Sequence, residues 1–292
     1  MSTIKSNTLI TLPNGRLLSL SRPSVMGILN ITPDSFFEGS RYQPDSQQVV
    51  DMAGKMLEDG ATILDVGGYS TRPHAAEISV EEETERVLKA IEPILKHYPE
   101  AIISIDTFRS RVARAAIKAG AAIINDIAGG NLDDQMFETV AELDVPYILM
   151  HSRGNPSTMT SLNQYKDLTL DVLGELQAKV FSLRQLGAKD IIIDPGFGFA
   201  KEPKQGFEIM RNLSAFQALN LPMLVGISRK SMIWKTLGIT ANEALNGTSA
   251  LNMVALINGA NILRVHDVKE AAETIRLYEE IYASPASHHV SD

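Results

Sequence analysis

Eight short apolar runs recur along the chain, and each ends in polar residues before a segment with helical spacing. The runs are rich in β-branched residues and do not alternate with polar positions, a pattern typical of parallel strands buried on both faces. They are VMGILN (25–30), ATILDV (61–66), AIISID (101–106), AAIIND (121–126), PYILMH (146–151), DIIIDP (190–195), PMLVGIS (222–228) and NILRVH (261–266). Eight such strands alternating with helices predict an α/β fold, the TIM (β/α)8 barrel.

The segments between the runs carry helix signals. In 80–97 the apolar residues form one stripe, and Ser79 with Glu82 matches the capping box that begins many helices. Pro93 inside that segment predicts a kink. Gly120 predicts the end of the helix that follows the third run. These segments supply the outer helices that a barrel needs.

Ahead of the first run, the sequence TLITLPNGRLLSL predicts a β-hairpin that turns at Asn14-Gly15 and plugs the bottom of the barrel. Because barrels of this type routinely hold about 250 residues, we expect a single domain over residues 1–292. Its parts are the hairpin (8–20), the barrel (about 25–283) and a frayed tail (284–292). The apolar stretch 246–260 predicts a buried helix and the seam of a homodimer.

The composition excludes several classes of protein. The absence of cysteine excludes disulfides, cysteine–metal clusters and thiol catalysis. The formal net charge of -8 leaves no basic footprint for a nucleic-acid backbone, although a local cluster of cations can still bind phosphate. The sequence shows no signal peptide and no apolar run of about 18 residues, so we predict no membrane contact and a cytoplasmic location.

Polar side chains stand at the ends of the predicted strands, where barrel enzymes build their sites. Any one of them alone is most simply a cap or a loop hydrogen bond. A whole ring of carboxylates, amides and cations is costly to desolvate, which favours a binding site. The ring comprises Asn30, Asp65, Asp106, Asn125, Asp126, His151, Asp194, Ser228 to Lys230, Arg264 and His266.

The ring divides into two chemical groups. Asp106, Asn125 and Asp194 suit a flat heterocycle with several N–H donors, since a carboxylate accepts such donors in charge-assisted pairs. Cationic donors suit phosphate oxygens, and Ser228 to Ser231 follow the seventh run at a predicted helix N-terminus, the usual phosphate position in a barrel. These cations are Arg72, Lys230, Arg264 and His266. The residues alone therefore indicate a polar heterocycle beside a phosphorylated group.

The same residues lie in long motifs that resemble those of the dihydropteroate synthase family. The matches are MGILNITPDSF (26–36), DVGGYSTRP (65–73), SIDT (104–107), INDI (124–127), MHSRGNPSTM (150–159), DPGFGFAK (194–201), VGISRKS (225–231) and RVHDVKE (264–270). They span the predicted barrel, and motifs of this length and order are highly specific. The sequence departs from the family pattern at Tyr69, where many members carry Glu, and at Phe37 to Ser40.

The resemblance implies a condensation of a dihydropterin methyl diphosphate with 4-aminobenzoate, similar to an SN1 displacement. It implies a homodimer, a Mg²⁺ cofactor held by Asn30, and inhibition by sulfonamides. Lys230, Arg72 and Asp106 are then the catalytic candidates. The implied contacts to the pterin diphosphate are Thr71, Asp106, Asn125, Asp194, Lys230, Arg264, Val265 and His266. Those to 4-aminobenzoate are Thr71, Pro73, Phe199 and Ser228.

Two other functions remain open at this point. One is a methyltransferase that passes a methyl group from a folate to a corrinoid protein. It would share the barrel and the Asp and Asn contacts, but it would not need 70–73 or 228–230. The other is a paralogue that binds pterin without turnover.

Overall fold

Eight parallel strands form a barrel in the computed structural model, which describes residues 8–31, 46–69, 77–155, 158 and 161–282. A short antiparallel pair precedes them: β1 (Leu9–Thr11) and β2 (Leu17–Ser19). The barrel strands are β3 (Ser24–Asn30), β4 (Ile63–Gly67), β5 (Ile102–Asp106), β6 (Ile123–Asp126), β7 (Tyr147–Met150), β8 (Ile191–Asp194), β9 (Leu224–Val225) and β10 (Ile262–Val265). This confirms the predicted TIM barrel.

Helices follow the barrel strands and cover their outer face. They are α1 (Ser46–Glu58), α2 (Val80–His97), α3 (Ser110–Lys118), α4 (Met136–Leu143), α5 (Leu168–Gln185), α6 (Pro203–Arg211), α7 (Ser231–Leu237), α8 (Leu245–Ile257) and α9 (Val268–Tyr282). Short 3-10 turns occupy Pro13–Gly15, Leu213–Leu219 and Ala241–Glu243. No helix in the described part of the chain is long and apolar enough to cross a bilayer.

The strand order is β8-β7-β6-β5-β4-β3-β10-β9, with every neighbour parallel. A parallel bridge between Ile193 and Met223 joins β8 to the residue before β9 and closes the barrel. Because all strands run the same way, their carboxyl ends meet at one rim. That rim therefore collects the polar residues that end the strands.

The hairpin seals the opposite end. Ile10, Leu12, Leu18 and Leu20 form an apolar cluster with the residues that begin the barrel strands, such as Met26. The plug at the bottom of the barrel is thus present as predicted. Its connection is wider than the predicted two-residue turn, since the ladder ends at the Thr11–Leu17 pair. Leu12 turns inward and is 3% exposed, so its side chain belongs to the plug.

The helix signals are largely confirmed. Helix α2 begins where the Ser79 side chain accepts a hydrogen bond from the Glu82 backbone N–H, and it runs to His97 with Pro93 inside it. Gly120, with φ of +108°, follows the end of α3. Helix α8 matches the predicted 246–260 helix, but it is only partly buried, since Ile257 is 50% exposed. The predicted tail (284–292) lies outside the described residues.

Candidate active site

Three acceptor side chains stand at the carboxyl ends of strands on one rim. Asp106 ends β5 and Asp194 ends β8, while Asn125 is the residue before the last in β6. Asp106 and Asn125 are register partners on neighbouring strands. Since parallel neighbours are about 5 Å apart, their side chains share one region of the barrel mouth.

Arg264 on β10 ties this region together. Its Nε donates to Oδ2 of Asp65 at 2.6 Å, and its Nη2 donates to Oδ2 of Asp106 at 2.6 Å. The Asp65 side chain is fully buried, and that of Arg264 is 19% exposed. One guanidinium therefore bridges two carboxylates that come from β4 and β5. The structure thus brings Arg264 and Asp106, predicted from distant parts of the chain, into direct contact.

Asp65 also fixes the orientation of the Asn125 side-chain amide. The Asn125 Nδ2 donates to Asp65 Oδ2 at 3.0 Å. Because the carboxylate can only accept, the amide nitrogen must face Asp65, and the amide oxygen is left for a ligand. Asn125, Asp106 and Asp194 then all offer acceptors, which suits a molecule with an N–H-rich edge.

Burial shapes the protonation of these groups. Burial, reinforced by the neighbouring Asp65, raises the pKa of Asp106 to about 7, although Arg264 opposes the shift. Burial also raises the pKa of Asp194, against the opposing effect of Lys230. Burial alone would lower the pKa of Arg264, but Asp65 and Asp106 raise it above its ordinary value, so the guanidinium stays charged.

Lys230 reaches the same region from the N-terminal end of α7. Its Nζ donates to the Phe197 backbone carbonyl and lies 4.8 Å from the centre of the Phe199 ring. Burial lowers its pKa to about 8, with Asp194 acting in the opposite direction. Lys230 therefore keeps most of its charge near pH 7, beside an aromatic ring and a carboxylate.

Ser228 and His266 form a second pair at the rim. Ser228 Oγ lies 3.0 Å from His266 Nδ1 and accepts the His266 backbone N–H at 3.2 Å. Val265, also predicted here, is the last residue of β10 and is fully buried. Arg229, between Ser228 and Lys230, pairs with Asp267 through Nε at 3.1 Å. This member of the predicted phosphate cluster thus already has an acidic partner.

The chain is similar to known proteins over most of its length. The pterin binding enzyme family matches residues 26–266. The chain belongs to the pterin-binding enzyme family. Dihydropteroate synthase of Escherichia coli (strain K12) is 44% identical over 267 residues, which cover 91% of this chain and 94% of that protein. The Bacillus subtilis (strain 168) dihydropteroate synthase is 40% identical over 91% of this chain and 90% of its own.

Solved structures of pterin-binding enzymes share the whole barrel. The Yersinia pestis dihydropteroate synthase, in a sulfonamide drug complex, has a TM-score of 0.88 and 37% identity, over 94% of this chain and 100% of that one. The Xanthomonas albilineans dihydropteroate synthase with 4-aminobenzoic acid has a TM-score of 0.87 and 35% identity, over 95% and 99%. The resemblance seen in the motifs is confirmed.

The loops expected to complete a pterin-binding site are only partly described. Thr71, Arg72 and Pro73 lie outside the described residues, as does the segment 32–45. Tyr69, where many members of the family carry Glu, is described. Its ring meets Phe108 edge-on with centroids 5.2 Å apart, and the Arg109 guanidinium lies 5.1 Å from its centre. Tyr69 is therefore packed against the residues that follow β5.

Asn30 ends β3 beside the same rim. Its Oδ1 lies 3.3 Å from the position that a Cβ on Gly67 would take, and Asp106 Oδ2 lies 3.6 Å from that position. Among the described residues, no group of three or more His, Cys, Asp or Glu side chains could hold a metal. A hard oxygen such as that of Asn30 fits Mg²⁺, which commonly uses few protein ligands and completes its shell with water and substrate phosphate.

A hydrogen-bonded network of three side chains beside Lys230 was not predicted from the sequence. Lys201 Nζ lies 2.8 Å from His151 Nδ1, and His151 Nε2 lies 3.0 Å from Glu175 Oε2. His151, a member of the predicted polar ring, is 2% exposed and packed inside this network. Nothing in the spacing of the sequence pairs position 151 with positions 175 and 201, so only the fold reveals this network.

Proposed function

We propose that the chain is a dihydropteroate synthase, which joins a dihydropterin methyl diphosphate to 4-aminobenzoate and releases diphosphate. The single observation that carries the proposal is the convergence of Asp106, Asn125, Asp194, Lys230 and Arg264 on one rim, in a member of the pterin-binding family. Relatives at 40–44% identity carry this name. Both the chemistry of the site and the family therefore favour this reaction.

The acceptors would hold the pterin ring. Asp106 and Asp194 supply carboxylate oxygens, and Asn125 supplies the amide oxygen that Asp65 leaves free. Hydrogen bonds to a charged acceptor contribute about 1.5–3 kcal/mol each when they are buried. Such an array favours a heterocycle that carries adjacent amino and ring N–H groups and disfavours one that presents acceptors there.

The cations would hold the diphosphate. Lys230, Arg264 and His266 come from β9–α7 and β10, on the side of the rim where barrels place phosphate. Mg²⁺, held by Asn30 and by the substrate, would supply further charge to stabilise the departing diphosphate. Arg264 would turn from Asp106 to the phosphate oxygens and keep its pairing with Asp65.

The reaction needs no protein nucleophile. The bond from the pterin methylene carbon to the diphosphate oxygen breaks, and its electron pair leaves with the diphosphate. The arylamine nitrogen then forms the new bond to that carbon and loses a proton. The carboxylates of Asp106 and Asp194 favour the electron-poor pterin, while Lys230 stabilises the leaving group.

The arylamine would bind beside Phe199, which is half-buried and packs under Lys230. Ser228 lies at the edge of this place, and Thr71 and Pro73 would complete it from the loop. The Xanthomonas albilineans relative is solved with 4-aminobenzoic acid and the Yersinia pestis relative in a sulfonamide drug complex. We therefore propose that sulfonamides compete with 4-aminobenzoate in this chain.

One assay tests the activity. Purified protein is incubated with the pterin diphosphate, Mg²⁺ and 4-aminobenzoate, and dihydropteroate and diphosphate are quantified together. Formation of both in equal amounts supports the proposal. Pterin binding without product would indicate a paralogue that binds without turnover. Methyl transfer from a folate to a corrinoid protein, measured in parallel, would indicate the alternative methyltransferase.

We also propose a second copy of the chain as partner. Helices α8 and α9 contact each other and leave apolar side chains exposed, among them Ile257 at 50% and Leu277 at 62%. Sedimentation equilibrium tests this: a mass near twice 31.9 kDa supports a homodimer, and a monomer at micromolar concentration contradicts it. The cytoplasmic location stays a prediction.

A further inference from the structure

The loop 195–201 (PGFGFAK) joins β8 to α6 and carries two features of the proposed site. Its Phe197 carbonyl accepts a hydrogen bond from the Lys230 ammonium, and its Phe199 ring packs beside that ammonium. The loop has unusual backbone angles, with φ of +72° at Gly196, +76° at Gly198 and +49° at Ala200. A loop of this shape needs contacts from outside to hold one conformation.

Lys201, the last residue of the loop, ties the loop to His151 outside it and to two of the loop's own carbonyls. Its side chain is buried, and its Nζ has three acceptors: His151 Nδ1 at 2.8 Å, the Gly196 carbonyl at 3.1 Å and the Phe199 carbonyl at 3.1 Å. An ammonium has three N–H donors, so each donor has one acceptor. Two of those acceptors belong to the loop itself.

His151 must be neutral to accept this hydrogen bond. Burial lowers its pKa to about 4, so its Nδ1 carries a lone pair near pH 7 and its Nε2–H points to Glu175. The hydrogen bond from His151, despite partial burial, lowers the pKa of Glu175 to about 2. A series of charge-assisted hydrogen bonds therefore runs from Glu175 on α5 through His151 to Lys201 on the loop.

A second path reaches the same loop from Glu175. Arg153 donates to Glu175, and its guanidinium lies 4.0 Å from the centre of the Tyr165 ring. The Tyr165 hydroxyl donates to the Ala200 carbonyl at 2.9 Å. The contacts form a closed ring that begins and ends on the loop.

We propose that Lys201 is a positioning residue, whose buried ammonium holds the loop 195–201 so that the Phe197 carbonyl orients Lys230 and Phe199 forms one wall of the arylamine pocket. The inference rests on the proposed function for its effect on catalysis, but not for its effect on the loop. Lys201 is buried against His151 and the loop, and it acts through Phe197 and Phe199.

Hydrogen exchange followed by mass spectrometry tests the loop directly. In K201M the amides of 196–201 exchange roughly tenfold faster than in the wild type, because the hydrogen bonds that the ammonium donates are lost. The matched control is K179M, which removes a different lysine, the partly buried Lys179 on α5. Lys179 bonds Gly129 and Asn131 and makes no hydrogen bond to 195–201. Its variant leaves exchange in 195–201 unchanged.

Kinetics test the consequence for the reaction. K201M raises KM for 4-aminobenzoate by roughly tenfold, because the loop carries the arylamine wall. KM for the pterin diphosphate rises less, because Asp106, Asn125 and Arg264 would still hold that substrate from other strands. A merely structural role would lower the amount of active enzyme and leave both KM values unchanged. Equal exchange and equal KM values in K201M and the wild type would overturn the proposal.

The pH profile adds a readout that belongs to Lys201. The charged groups around it are Asp194, Lys230, Glu175 and Arg153, and burial lowers its pKa to about 7. Above that pH the amine loses one donor, so KM for 4-aminobenzoate rises in the wild type. The same step is absent in K201M, whereas the step from Lys230, whose pKa is about 8, remains.

A second variant covers the case in which K201M does not fold. E175Q changes a half-exposed residue on α5 and weakens the hydrogen bond between Glu175 and His151. Faster exchange in 195–201 supports the proposal, and unchanged exchange overturns it. If the wild type forms no dihydropteroate, the proposed function fails, while the exchange measurements still decide the role of Lys201.

Discussion

Asp65 is the residue whose substitution tests the recognition of the heterocycle most sharply. It is fully buried one layer below the rim and is not itself among the predicted ligand contacts. Its Oδ2 accepts from both Arg264 Nε and Asn125 Nδ2. The Asp65→Asn variant keeps the shape of the side chain but removes its charge and gives it a donor.

The expected magnitude follows from those two hydrogen bonds. Bonds to a charged group contribute about 1.5–3 kcal/mol and neutral ones about 0.5–1.5, so two weakened bonds cost about 2 kcal/mol. With Asn at position 65, the Asn125 amide is no longer forced to present its oxygen to the ligand. We expect the pterin diphosphate to bind roughly thirtyfold more weakly, as about 2 kcal/mol corresponds to that factor.

Calorimetric titration with the pterin diphosphate in the absence of 4-aminobenzoate measures this loss. Ser104→Ala is a matched control: Ser104 is the register partner of Asp65 on β5, is fully buried, and its Oγ has no hydrogen-bond partner. That variant should bind like the wild type. Equal affinity in Asp65→Asn, or an equal loss in both variants, would refute the orienting role of Asp65.

Four further outcomes are expected. Lys230→Ala lowers kcat/KM by roughly a hundredfold or more in steady-state assays, because it removes a cation at the leaving group; normal turnover would take Lys230 out of the site. EDTA depresses activity and Mg²⁺ restores it, whereas a metal-independent rate would contradict the role given to Asn30. The kcat/KM for the pterin diphosphate falls below pH about 7, where Asp106 gains a proton, and above pH about 8, where Lys230 loses one; a flat profile from pH 6 to 9 would contradict both roles. Arg72→Ala weakens the use of 4-aminobenzoate more than the direct binding of pterin diphosphate, because Arg72 lies between Thr71 and Pro73, the contacts implied for 4-aminobenzoate; the opposite order would assign Arg72 to the diphosphate.

The barrel could be predicted from the sequence because its strands are buried on both faces and therefore read as unbroken apolar runs. The run 222–228 shows the limit of this signal. Only Leu224–Val225 form a strand, and Met223 contributes one bridge to β8. Gly226, Ile227 and Ser228 are equally buried, yet they leave the ladder to begin the turn into α7. Burial sets the composition of a run, whereas the hydrogen bonds of neighbouring strands set its length.

The site was predictable where a residue ends a strand, since the position of Asp106 or Asp194 follows from the strand itself. The contacts that such residues make with one another could not be predicted from the sequence. Arg229 stands in the predicted phosphate cluster, but its guanidinium pairs with Asp267. Lys201 looks like a residue after a glycine-rich turn, yet it is buried against His151. These pairs join positions 38 and 50 residues apart, so only the packed fold brings them together.

Arg264 and the carboxylates of Asp65 and Asp106 neutralise one another at the rim, and this has a consequence for how the substrate binds. Arg264 occupies the Asp106 carboxylate, which is the acceptor that the pterin ring would need. A ring that displaces Arg264 from Asp106 leaves a largely buried guanidinium short of one partner, and a buried charge without a partner is costly. The diphosphate supplies the replacement acceptor. In the proposed reaction the two halves of the substrate therefore compensate each other, since the heterocycle takes the carboxylate and the diphosphate takes the cation that the carboxylate released.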